Sequence, residues 1–468
     1  MAISLLTQVA LGWLLTNRDF GIYAISIAFA DFLRVFRDGG VGLWLARLAP
    51  DEYDRKAGQA FWLSVICSII ASVALSLAAF PVGVIYREPQ VTHLILILAA
   101  SFPLGAYSTV AAPYLQVQLR FRSMSIVRLI TAVIRYGLIV VLALLGFGPY
   151  SFVIPVVFAM LFEIVCYRSL TGRRLWRTQF NKSECWQLLK TSNWSLGGSV
   201  STAVLRQIDY AVYGLVATAP IVGIYFFAYQ LTMQLVLLFS ESLRRVVLPV
   251  FHRVGDDPKQ QQRGLSLSAA FLGLIAGPAM YLLMAVGPDV ESVLWRGRWA
   301  TAVPSIQILA LVMPLHLTAF FVEMLAQSRG YFRLWTLTVL IRGLGIGVAT
   351  LVGAWLGGIN DPSRVSLAVG IYLAVTAIVE VIFILHQIQL SAAPLLNRLL
   401  PILVTAALLA MASSQFMQNR GPSQPLYHGL LIGAIYVASL LAILPLTFSS
   451  ATRDLLHLLQ RAIKRNTS

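Results

Sequence analysis

Charged side chains are scarce in this sequence: they make up 12% of its 468 residues, about half the share a soluble globular protein carries. A soluble domain of ordinary composition is thereby excluded. Acids are scarcer than bases, 19 against 35. Cysteine occurs three times, at Cys67, Cys166 and Cys185, without CxxC spacing, so neither a disulfide framework nor a redox pair is encoded and the three read as small apolar fillers. The six histidines, His93, His252, His316, His386, His428 and His457, are dispersed, which gives no zinc site, and no cofactor is expected. No GxxxxGK[ST] occurs, so the chain encodes no ATP-driven pump of its own. Long polar stretches on the outer side are missing too, and with them the catalytic loop that a membrane glycosyltransferase, polymerase or ligase needs. Asp289 and Glu291, before "VLWRGRW", are a weak exception, because two carboxylates beside an apolar run do not make a site. The chain reads as a non-enzyme.

What is present is apolar. Hydrophobic residues account for 58% of the chain and mean hydropathy is +0.78. A helix needs about 20 mainly apolar residues to cross the hydrocarbon core of a bilayer. Cutting at polar, Gly and Pro punctuation gives spans near 2–15, 20–46, 58–86, 91–118, 123–145, 150–170, 188–218, 221–250, 265–287, 301–327, 334–358, 365–388, 396–417 and 426–448. The expectation is an all-α polytopic membrane protein of about fourteen helices. With the N-terminus placed in the cytoplasm, 21 loop and tail cations fall inside and 6 outside. That asymmetry puts both termini in the cytoplasm. The net charge of +16 is spread over loop ends and not gathered on one folded face, which removes nucleic acid as a partner. The tail "RDLLHLLQRAIKR" sets leucines against basic residues at helical spacing; it suits a helix on anionic inner-leaflet lipids or a solvated cytoplasmic end.

The chain also carries a repeat. "LTNRDFGIYAIS" at 15–26 and "ATAPIVGIYFFA" at 217–228 superimpose at an offset of 202, matching Gly12 to Gly214, Thr16 to Thr218 and Gly21, Ile22 and Tyr23 to Gly223, Ile224 and Tyr225. Both copies open an even-numbered helix after an outward turn, whereas a third Gly-Ile-Tyr at 370–372 lies inside a span. This predicts a parallel repeat of six helices: an N-terminal lobe 1–170, a cytoplasmic linker 171–187, a second lobe 188–388, an appended helix pair 389–448 and a basic tail 449–468. The first helix has about fifteen residues fewer than its counterpart, so the natural chain is expected to start upstream of Met1. Tyr23 and Tyr225 are expected only to pack at helix starts.

Charge inside the membrane is costly unless it faces a cavity or a partner. Eight arginines fall within spans: Arg34, Arg37, Arg128, Arg135, Arg206, Arg244, Arg245 and Arg342. Arg244, Arg245, Arg37 and Arg34 lie near helix ends, from which they can snorkel. Arg206 and Asp209 can pair at i, i+3, and Asp31, Arg34 and Asp38 share one helix face by the same spacing. Arg128 and Arg135, seven apart on a helix without an acid, call for an anion, a wet cavity or a salt bridge to an acid elsewhere such as Glu163. Arg342 is ambiguous, and Glu323 and Glu380 are candidates for ion coupling or structural pairing.

The repeat segment, together with "LQVQLRFRSMSIVRLITAVIRYGLIVVLALLGFG" at 115–148, "RQIDYAVYGLVATAPIVGIYFFAYQL" at 206–231, "LPVFHRVGDD" at 248–257 and "VLWRGRWATAVPSIQILAL" at 293–311, resembles the polysaccharide transporter family of the MOP flippase superfamily, Wzx-like flippases included. The resemblance implies two six-helix lobes facing a cavity open alternately to either side, with two further helices outside the pair. It implies an inner-membrane flippase moving an undecaprenyl-pyrophosphate-linked oligosaccharide to the periplasmic leaflet for O-antigen, capsule or exopolysaccharide assembly, alongside a polysaccharide polymerase and export machinery. Arg128, Arg135, Arg34, Arg206 and Arg342 would then offset the pyrophosphate, while Asp31, Glu163, Asp209, Glu323 and Glu380 would couple an ion or pair structurally. A cation-coupled exporter of the MATE branch, a lipid II flippase and, less well, a glycan polymerase are the rival readings.

Overall fold

In a computed structural model the described residues, 2–38, 40–46, 48–172, 180–254, 258–418 and 424–448, are helices joined by short turns. The helices are α1 (Ala2–Leu14), α2 (Asn17–Asp38), α3 (Val41–Leu45), α4 (Pro50–Ile85), α5 (Pro89–Val117), α6 (Phe121–Leu144), α7 (Tyr150–Thr171), α8 (Lys182–Val216), α9 (Ala219–Val254), α10 (Pro258–Phe271), α11 (Gly277–Trp295), α12 (Val303–Ser328), α13 (Phe332–Gly357), α14 (Pro362–Gln387), α15 (Ala393–Gln418) and α16 (Pro425–Thr447). The linker stretch 173–179, the basic tail 449–468, and the side chains of Asp38, Arg244 and Arg245 lie outside what is described.

Eleven helices among the described residues are long and apolar enough to cross a bilayer, counting α10 and α11 as one span through the π-helical turn Leu272–Ala276. The other three expected spans are α1, with 13 residues, and α2 and α8, whose charged residues lower their hydropathy. The expected count of about fourteen is compatible with these helices. One boundary differs: the expected second span, 20–46, is broken before α3, where Gly40 adopts φ +70°, a left-handed conformation that only glycine takes at no steric cost. Local chemistry sets many of the other ends. Proline opens α4, α5, α14 and α16, where its missing N–H costs no helical bond. The Asn181 and Asp361 side chains cap α8 and α14.

The chain groups into two compact units, one of Met1–Phe226 with Val339–Gly347 and one of Phe227–Thr338 with Val348–Ser468. In the first, α4 packs along α5, and α5 along α7. Tyr53, Tyr107, Tyr167 and Cys185 are buried in its core, with Cys67 and Cys166 packed against them as apolar filler; the Tyr53 hydroxyl donates to the Val110 carbonyl. In the second, α12 packs along α14, and α11 along α12, α15 and α16. The motif "VLWRGRW" folds there as a turn: Trp299 stacks on Phe227 with ring centroids 3.8 Å apart, and the Trp299 amide donates to Glu291 at 2.8 Å. Asp289 faces His428 on α16 at 2.9 Å. Both carboxylates thus have structural partners.

The sequence repeat becomes a physical contact inside the first unit. A methyl group on Gly21 would lie 1.7 Å from the carbonyl oxygen of Ala219, and one on Gly223 would lie 1.8 Å from that of Asn17. Asn17 and Ala219 are themselves related by the 202-residue offset, so each copy touches the other as it is touched. Reciprocal exchange of this kind is what two-fold-related copies make. The helices approach at backbone distance because neither glycine has a side chain.

Candidate functional site

The first unit has an open cavity of about 520 Å³ walled by α2, α3, α5, α6 and α8. Three guanidinium groups line it, Arg34 from α2, Arg128 from α6 and Arg206 from α8, together with one carboxylate, Asp31. Arg34 Nη1 lies 2.8 Å from Asp31 Oδ1, close but off the hydrogen-bond axis, and Gln207 Nε2 donates to Asp31 Oδ2 at 2.8 Å. Asp31 therefore holds one arginine, leaving the lining with a cationic excess of two. Pro113 and Gly40 also face the space. Proline in α5 removes the N–H that would bond the Thr109 carbonyl, and that carbonyl lies 3.3 Å from where a Cβ on Gly42 would stand.

Arg135 does not line this cavity. It sits two turns along α6 from Arg128, roughly 10 Å further by helical rise, and its charge reaches the half-buried Tyr23 ring. Glu163 on α7 stands within electrostatic reach of Arg128, Arg37 and Arg135, one carboxylate among three guanidinium groups. The expectation that Arg37 snorkels is corrected: it is 8% exposed, its guanidinium lies over the Phe102 ring at 5.6 Å, and it fills the notch left by Gly105. Phe102 and Gly105 are one turn apart on α5, and together they make the slot.

The Arg206–Asp209 pair is also corrected. Asp209 is 2% exposed and accepts hydrogen bonds from the Tyr225 hydroxyl at 3.0 Å and the Tyr210 amide at 2.9 Å, while Arg206 turns to the cavity. Tyr225 accordingly does more than pack. Tyr23 does pack, stacked on Phe152 with centroids 4.2 Å apart. Arg342 is buried at 3% exposure in the α13 stretch that belongs to this unit, next to Gly343 and Gly347, whose missing side chains admit α8. Glu323 and Glu380 are buried in the second unit, on α12 and α14. Gln207 was missed by reasoning from charge, since a neutral amide in an apolar span raises no electrostatic alarm; its place beside Arg206 was the only cue.

A bundle of membrane-spanning helices with a polar, cationic cavity defines a transporter-like membrane protein. Its fold is that of the MOP superfamily. The lipid II flippase MurJ in an inward closed conformation superposes with a TM-score of 0.73 at 13% identity, covering 95% of this chain and 96% of the other. An inward-facing MATE family multidrug resistance transporter does so with a TM-score of 0.63 at 15% identity, over 83% and 94%. The chain belongs to the polysaccharide biosynthesis protein family, which it matches over residues 10–304, and with it to the polysaccharide transporters that its sequence resembles. Relatives include the succinoglycan biosynthesis transport protein ExoT of Rhizobium meliloti (strain 1021), 23% identical over 66% of this chain and 62% of that protein. The teichuronic acid biosynthesis protein TuaB of Bacillus subtilis (strain 168) is 22% identical over 60% and 58%, and the lipopolysaccharide biosynthesis protein WzxC of Escherichia coli (strain K12) 20% identical over 67% and 63%. The chain thus spans about six tenths of the length of the curated relatives it matches.

Proposed function

We propose that this protein is a flippase that carries an undecaprenyl-pyrophosphate-linked oligosaccharide across the bacterial inner membrane by alternating access, for assembly of a surface polysaccharide. The observation that carries the reading is the cavity in which Arg34, Arg128 and Arg206 outnumber Asp31. A pyrophosphate bears two or more negative charges, and guanidinium groups bind such oxygens in a bidentate fork at a site where water is scarce. Arg34 has two claimants, Asp31 and an arriving anion; the anion offers more charge and draws it into the cavity, while Gln207 keeps Asp31 bonded. Arg135 supplies a second cationic step along α6, and Arg342 a reserve on α13. Glu163 moderates the positive field. The chain catalyses no bond change in this reading, and its partners are the polymerase and export steps that consume the translocated glycan. The excess of cations in the connections assigned to one side supports a cytoplasmic location for both termini.

The deciding experiment labels undecaprenyl-pyrophosphoryl oligosaccharide in a strain lacking the gene and resolves it by leaflet. Accumulation on the cytoplasmic face, relieved by the wild-type gene and not by Arg128→Gln, supports flipping through the cationic cavity. Delivery to the outer face in the deletion strain overturns it. A lipid II flippase would meet the same pyrophosphate, and the fold likeness to MurJ favours keeping that reading; rescue of a strain depleted of its lipid II flippase would select it.

A further inference from the structure

The first unit has a second cavity, of about 620 Å³, at the opposite end of α2 from Arg34, within the 300–1,000 Å³ range of small-molecule sites. It lies where α1 ends, α2 and α7 begin and the Gly146–Pro149 turn closes α6, the side that the Lys and Arg distribution assigns to the outside. Its polar groups differ in kind from those of the arginine cavity. Asp19 Oδ2 is committed to the amide and hydroxyl of Thr16, at 2.8 and 2.7 Å, while Oδ1 has no partner among the described residues and faces Gly148, 3.1 Å from where a Cβ would sit. A side chain at residue 148 would cover that oxygen; Gly148, at φ +55°, leaves it open. Gln90 also lines the cavity, and its side chain makes no hydrogen bond among the described residues. Tyr150 is fixed by a 3.1 Å hydrogen bond to His93, and Phe147 presents its ring at 46% exposure. The neighbouring cation, Arg18, is occupied by Glu88 at 2.8 Å.

We infer that this cavity is a carbohydrate subsite, selective for a neutral sugar. Vicinal hydroxyls donate to the free Asp19 oxygen, the Gln90 amide donates and accepts, and the apolar face of a pyranose ring lies on Phe147 and Tyr150. The lining holds a carboxylate and no Lys or Arg side chain, so uronic acids and phosphates are disfavoured and the lipid's pyrophosphate is excluded here. That the sugar belongs to a lipid-linked glycan rests on the proposed function; the chemistry of the site does not.

The test is a titration of the purified full chain, in detergent or nanodiscs, with cellobiose as the probe and saturation-transfer NMR as the readout. Cellobiose is expected to bind and glucuronate to bind about tenfold more weakly or not at all. Asp19→Asn and Gln90→Ala are each expected to weaken cellobiose about tenfold. The Gln90 side chain makes no hydrogen bond among the described residues, so its loss separates recognition from misfolding. Inorganic pyrophosphate is expected not to displace cellobiose. Absence of cellobiose binding, binding indifferent to both substitutions, competition by pyrophosphate, or a preference for tetramethylammonium would each overturn the subsite. If cellobiose binding depends on Asp19 and Gln90 while the leaflet assay shows no flipping, the subsite stands and the proposed function fails. If the glycan flips while cellobiose binding ignores both residues, the reverse holds.

Discussion

At the scale of single residues, this protein is organised by how each intramembrane charge is compensated. Arg37 is buried against an aromatic ring, Asp209 is held by a hydroxyl and an amide, and Arg34 and Asp31 meet as a pair. Arg128, within electrostatic reach of Glu163, and Arg206 line a cavity. Arg128→Gln and Arg206→Gln are expected each to lower polysaccharide export at least tenfold, since a lost charge-assisted contact is worth about 1.5–3 kcal/mol, with membrane levels unchanged by immunoblot. Tyr225→Phe is a different kind of change. It strips the buried Asp209 of a donor and is expected to destabilise the fold by about 0.5–2 kcal/mol, read as a lower midpoint in detergent-solubilised thermal unfolding. The charges were legible in the sequence because an arginine in an apolar span is conspicuous. Their partners were not: i, i+3 spacing suggested Arg206 with Asp209, but the direction in which each side chain leaves α8 depends on what α2 and α9 place beside it.

At the scale of elements, small residues decide which helices touch. Gly21 and Gly223 bring the N-terminal turns of α2 and α9 within van der Waals contact of each other's backbone. Gly21→Val and Gly223→Val should therefore force those turns apart and abolish export, whereas Gly137→Ala, at a glycine with open space around it, should leave export at its wild-type level; complementation of the deletion strain measures all three. Another link ties α16 to α11. Both ring nitrogens of His428 face acceptors, Asp289 on one side at 2.9 Å and the Met417 carbonyl on the other at 3.2 Å. His428→Ala should free the α15–α16 hairpin, detectable as faster proteolysis in the connection between these helices with little change elsewhere. Helix existence was readable from hydropathy alone. The break before α3 was not, because Gly40 looks like any glycine in a span and only its left-handed backbone reveals the bend.

At the scale of the molecule, the helix count and the repeat were both visible in advance, and they depend on different physics. The count follows from transfer free energy summed over each span. The repeat shows because two helix starts must satisfy the same close contact, so both copies keep Gly-Ile-Tyr. If the Lys and Arg asymmetry sets orientation, cysteines placed in the 118–122 and 329–333 connections should react with a membrane-impermeant maleimide only after the inner face is exposed, and cysteines at 87 and 296 should react in intact cells. The opposite pattern would reverse the assignment of both cavities.

The sequence by itself determined that the chain is an all-helical membrane protein of about fourteen apolar segments, that one segment recurs at two helix starts, and that arginines lie within the apolar segments. These are sums over contiguous residues, set by solvent and independent of the partner. Only the tertiary structure decided that Arg34, Arg128 and Arg206 share one cavity while Arg135 does not, that Asp31 answers to Gln207, and that Asp19 and Gln90 face a second cavity. A helix's rotation about its axis is fixed by the neighbours packed against it, and no single span contains that information.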